Sequence, residues 1–75
     1  MKVNVELDIH ELVDLCVNVK RGKLLCELAA QNFKTAGNSI KECEYLYNAL
    51  TADNLSEKLD TILQEAINTM RKGEA

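Results

Sequence analysis

The chain contains no proline and no tryptophan, only three glycines and only three aromatic residues, Phe33, Tyr45 and Tyr47. Without proline, nothing forbids helix anywhere along it, and a loop-rich fold is excluded. With so few aromatics, a core must be built mostly from Leu, Ile, Val and Ala. No apolar run approaches the length of a membrane span. The three cysteines, Cys16, Cys26 and Cys43, are odd in number and widely spaced, and no signal peptide is expected ahead of them. They predict reduced thiols in a cytoplasmic protein rather than a disulfide framework. They also lack the closely spaced pairs of a zinc site, so no metal or other cofactor is expected. No Walker loop, GxGxxG, HExxH or GxSxG occurs, and the lone histidine, His10, has no nucleophile implied beside it. These absences predict a non-enzymatic protein.

What is present begins with alternation. Val3, Val5 and Leu7 interleave with Lys2, Asn4 and Glu6, the period of a half-buried strand. No second strand follows, so this one should pair with its copy in another chain. A 75-residue domain buries only roughly 60% of the surface of its unfolded chain, which also points to oligomerisation. Then comes a strong helix start: Asp8 with Glu11 reads as a capping box, and Leu7 with Leu12 as a hydrophobic staple. Ile9, Leu12, Val13, Cys16 and Val19 form the first apolar stripe, and Lys20, Arg21 and Gly22 read as its end. The stripe resumes out of phase as Leu24, Leu25, Leu28, Ala29 and Phe33, which predicts a break or kink near Gly22, with one continuous helix of wide buried face over residues 9–36 as the alternative.

Gly37 and Asn38 end the second segment, and Ser39 with Glu42 reads as a further capping box. Ile40, Cys43, Leu46, Tyr47 and Leu50 make the next stripe, with Tyr45 on the more exposed side. Thr51 to Asn54 reads as a polar break, with Asn54 capping a last helix that carries Leu55, Leu59, Ile62, Leu63, Ala66, Ile67 and Met70 and closes at Gly73. The expected fold is therefore mainly α in one domain, residues 1–75: a short N-terminal β-strand followed by three or four helices. The strand and the C-terminal helix are expected to build a homodimer or larger assembly through Val3, Val5, Leu7, Leu59, Ile62, Leu63, Ala66 and Met70.

The net charge of −3 argues against broad coating of nucleic acid. One basic focus stands out, Lys20-Arg21-Gly22-Lys23. If a helix began after Gly22, its free N–H groups and three cations would form an anion site for a phosphate, a nucleotide or a nucleic-acid backbone. The order strand, capped helix, glycine turn, helix over residues 2–36 resembles the ribbon-helix-helix family of DNA-binding dimers. That resemblance implies a ribbon presenting Lys2, Asn4 and Glu6 to bases, with Arg21, Gly22 and Lys23 holding the backbone. It implies a DNA-binding regulator as one reading. The other reading, favoured by the acidity and the missing chemistry, is a small binding protein that occupies another macromolecule, in the manner of inhibitors, antitoxin-like proteins or phage-encoded regulators. Occupation of a nucleotide or phosphate ligand by the basic focus is the weaker third.

Overall fold

A computed structural model describes residues 1–74, with side chains through Gly73. It is a helical hairpin. Helix α1 spans Ile9–Thr35 and helix α2 spans Ser39–Glu74. A 36-residue helix is about 54 Å long at 1.5 Å per residue, and the molecule measures 56 × 26 × 15 Å. It is a single layer of two antiparallel rods.

The ends of the helices follow local chemistry. Asp8 caps α1: its Oδ1 accepts from the Glu11 N–H at 2.8 Å, and the Glu11 carboxylate accepts the Asp8 N–H at 3.2 Å. Hydrogen bonding from the Glu11 backbone holds the Asp8 carboxyl below its ordinary pKa. At the other end, the Asn38 N–H donates to the Phe33 carbonyl at 2.9 Å and the Gly37 N–H to the Lys34 carbonyl at 3.1 Å. This is a Schellman closure, and it needs a left-handed residue just past the cap. Gly37 supplies it with φ of 75°. The chain then re-enters helix within two residues.

Several expectations are corrected here. Among the described residues there is no strand, so the fold is not an N-terminal strand plus three or four helices. A strand needs a partner for its N–H and C=O groups, and within one chain residues 1–7 have none. Gly22 does not break α1. A glycine inside a helix costs about 1 kcal/mol, which a 27-residue helix absorbs. Thr51–Asn54 does not break α2 either: the Thr51 hydroxyl bonds to the Tyr47 carbonyl at 3.0 Å within the helix. The cap of α2 is Asn38 rather than Ser39, with the Lys41 N–H donating to Asn38 Oδ1 at 3.1 Å. Gly73 lies inside α2. The tyrosines are exchanged relative to expectation: Tyr45 stacks on Phe33 with centroids 5.5 Å apart, while Tyr47 is 69% exposed.

Packing between the helices follows a heptad arithmetic. In α1, Leu12, Val19, Cys26 and Phe33 form one row at intervals of seven, and Cys16, Lys23 and Ala30 form a second. In α2, Tyr45, Ala52, Leu59 and Ala66 form one row, and Ala49, Ser56 and Leu63 another. Every one of these residues is buried or half-buried. The best-buried group is Leu12, Cys16 and Leu59, flanked by Val19, Leu63 and Ala66. Between that group and the Phe33–Tyr45 stack by the turn, the interior is filled by small side chains, Ala30, Ala49 and Ser56. The phase change in the α1 sequence was therefore real. It marks large apolar side chains turning outward on one continuous helix.

Candidate interaction surfaces

The hairpin presents two unlike broad faces. Lys23 bonds to Asp53 at 2.9 Å and Lys20 pairs with Asp60 at 3.1 Å, both reaching from α1 to α2. These pairs mark one face. Leu24 follows Lys20 by one turn, and Leu50 precedes Asp53 by one turn, so both leucines flank the same pairs. Val13, Val17, Leu24 and Leu28 fall at i, i+4, i+11 and i+15, and Leu46 lies one turn before Leu50. Their exposures run from 40% for Val13 to 63% for Leu28. At the rim by the turn, Ile40, Cys43 and Tyr47 line a shallow apolar hollow, with Ile40 75% exposed.

The opposite face carries an apolar groove of about 470 Å³ lined by Val3, Val5, Leu7, Leu12, Leu15, Leu55, Leu59 and Ile62. Five of the eight residues expected to form an oligomer interface thus meet in one place: Val3, Val5, Leu7, Leu59 and Ile62. Of the other three, Leu63 and Ala66 sit between the helices, and Met70 is half-exposed near the end of α2. The alternation of residues 2–7 therefore corresponds to an extended arm whose apolar side chains reach the groove wall. Its polar positions, Lys2, Asn4 and Glu6, are exposed.

The basic focus is placed differently from what an anion site requires. Lys20, Arg21, Gly22 and Lys23 lie in the middle of α1, where backbone N–H groups are spent on helix hydrogen bonds. Lys20 and Lys23 are each engaged by an aspartate, and Lys23 also lies 3.8 Å from Glu27. The hydrogen bond and charge of Asp53 raise the Lys23 pKa. With no strand ribbon and no helix N-terminus at Lys23, the two geometric elements of the ribbon-helix-helix resemblance are absent among the described residues. His10 is exposed in the first turn of α1, and Cys16, Cys26 and Cys43 are respectively buried, half-buried and exposed. Among the described residues, no three His, Cys, Asp or Glu side chains gather as a metal site would need, and no helix is long and apolar enough to cross a membrane.

Comparison with known proteins adds no relative. No family model, curated protein or solved structure matches the chain.

Sequence reasoning missed the outward face. Leu24, Leu28, Leu46 and Leu50 read as core stripes because they are the most apolar periodic positions. The signal that could have found the true interior is the weaker heptad of small residues, Ala30, Ala49 and Ser56, running beside them.

Proposed function

We propose that this chain is a small non-enzymatic binding protein that works as a homo-oligomer and acts by occupying a partner macromolecule. One observation carries the reading: Val17, Leu24, Leu28, Leu46 and Leu50 point out of the hairpin, while much of its interior between the Leu12–Leu59 contact and the Phe33–Tyr45 stack is filled by alanine, serine and cysteine. A monomeric protein scatters its exposed apolar residues singly, whereas contiguous apolar patches of several hundred Å² mark interaction sites. On the ion-pair face, Val17, Leu24, Leu28, Leu46 and Leu50 surround Lys20–Asp60 and Lys23–Asp53. Exposed apolar side chains on both helices, standing on either side of a line of paired charges, offer a partner both apolar and charged contacts. The i, i+4, i+11 spacing on α1 suits an apolar helix or groove on a partner.

A photocrosslinking side chain at Leu28, compared with one at Lys58, tests this in cells that carry the protein. The expected result is a discrete adduct heavier than two copies of the chain from position 28 and none from position 58. Equal labelling from both positions, or no heavy adduct from position 28, would refute it.

A further inference from the structure

The two rows that hold the hairpin together are not the whole heptad pattern. Each helix carries a third row at the same seven-residue interval, and that row is left open. In α1 it is Leu15, Gly22 and Ala29, and in α2 it is Asn48, Leu55 and Ile62. Leu15, Leu55 and Ile62 are 39%, 47% and 51% exposed, and all three line the groove. Two helices packing only on each other need two rows, the narrow seam of a coiled coil. Helices with three apolar rows in seven are those of a bundle, where each one has two neighbours. From Leu12 to Phe33, and from Tyr45 to Thr69, neither the row that begins at Leu12 or Tyr45 nor the open row beside it contains a charged residue. The cations and carboxylates of the ion pairs lie on the other side.

We propose that this face is where a second copy of the chain packs, giving a two-fold four-helix bundle in which the open rows become the common core. This rests on reading the protein as a homo-oligomer and says where the copies meet. Three features select a second copy as the occupant. The face is self-complementary: the open row of α1 is hollow at Gly22 and Ala29, and that of α2 is raised at Leu55 and Ile62. The Lys20–Asp60 and Lys23–Asp53 pairs set Gly22 and Leu55 at one level, so a two-fold axis along the hairpin sets each copy's Leu55 over the other's Gly22. A Cβ built on Gly22 meets nothing within 4 Å, so the space above it is open. The area also suits. Val3, Val5, Leu7, Leu15, Leu55 and Ile62 expose on the order of 600 Å², against roughly 800 Å² that each partner gives to a standard interface, and Gly22, Cys26 and Ala29 extend the patch. Finally, one hairpin is a single 15 Å layer with no large side chain fully buried among the described residues, and a domain needs two layers to enclose a core. The arm at Val3 and Val5, 73% and 72% exposed, would be covered by the arriving copy.

Sedimentation equilibrium on the full chain, run with Ile62→Lys, Gly22→Phe and Leu24→Lys, tests the placement, with helicity followed by circular dichroism. The wild type is expected to dimerise. Ile62→Lys and Gly22→Phe should each weaken dimerisation at least about tenfold, as loss of a central contact does, while Leu24→Lys leaves it unchanged. Gly22→Phe is the decisive variant if Ile62→Lys loses helix, because the added ring meets no atom of its own chain at its first carbon. A dimer unaffected by Gly22→Phe, or one dissociated by Leu24→Lys, overturns the placement while the homo-oligomer reading stands. A wild type that stays monomeric at micromolar concentration overturns both.

Discussion

Leu59→Ala is the sharpest test of how the hairpin is held together. Leu59 is 8% exposed and lies against Leu12 and Cys16, with Val19, Leu63 and Ala66 around it. Cutting it to alanine removes three carbons from the best-buried cluster of large side chains between the helices. Such truncations cost about 2–5 kcal/mol, the larger part arising when the surroundings cannot collapse into the gap. Two straight helices joined at one end have some freedom to close, so we expect about 2–3 kcal/mol. At about 0.05–0.15 kcal/mol per residue, a domain of this size has only some 4–11 kcal/mol in total, so the loss is large in proportion. Urea unfolding followed by circular dichroism measures it, with wild type and variant at equal protein concentration because association adds stability by mass action. Leu28→Ala, at a residue 63% exposed, should change stability by less than about 0.5 kcal/mol when no partner is bound. The reasoning fails if Leu59→Ala falls within that same range, or if Leu28→Ala costs as much.

Further expectations concern the turn, the caps and the thiols. Gly37→Ala places a Cβ at φ of 75° and should destabilise by about 1–2 kcal/mol, whereas Gly22→Ala, in mid-helix and open space, should stabilise by about 1 kcal/mol; thermal melts separate the two signs. The depressed Asp8 pKa makes its cap a stabilising element above the ordinary aspartate pKa, lost as pH falls through the folded value. Asp8→Ala should therefore lower the melting temperature at neutral pH and converge with wild type in acid. The raised Lys23 pKa works in the opposite direction: its contribution is full below the ordinary lysine pKa and fades as pH rises through the folded value, so Asp53→Asn and wild type should converge only in strong alkali. Cys43, exposed on α2, should react fastest with a thiol reagent, Cys26 more slowly, and Cys16 only as the hairpin opens.

The local chemistry of the helix ends was legible because it resides in adjacent residues. Asp8 and Glu11 form the capping box that their spacing implied, and Gly37 with Asn38 turns the chain. What the sequence concealed was connectivity and orientation. Gly22 and the stretch from Thr51 to Asn54 look like punctuation, but long helices packed along their whole length outweigh single weak helix formers. The arm residues Val3, Val5 and Leu7 alternate as a strand does, yet one chain offers no second edge for them. Orientation was misread where apolar positions outnumber what two helices can cover. Leu24, Leu28, Tyr47 and Leu50 carry more hydrophobicity than Ala30 and Ala49, so a stripe ranked by hydrophobicity alone selects the outer face. That Val3, Val5 and Leu7 meet Leu59 and Ile62 in one groove was not legible, because periodicity within each segment does not say which segments lie together.

The glycine turn has a consequence in time as well as in shape. Once Gly37 closes the Schellman loop, Phe33 and Tyr45 are brought within reach across a short span of chain, then Lys23 and Asp53, thirty residues apart, and last Lys20 and Asp60. Each closure shortens the loop that the next must cross, so the entropy of ordering is spent in small instalments. A molecule assembled in this order has nearly all its early contacts local, and helical proteins of that kind fold in microseconds to milliseconds. Gly37 then governs how quickly the hairpin forms, while Leu59, joined late and far from the turn, governs how long it stays closed. Substitution at the first should slow folding, and substitution at the second should speed unfolding.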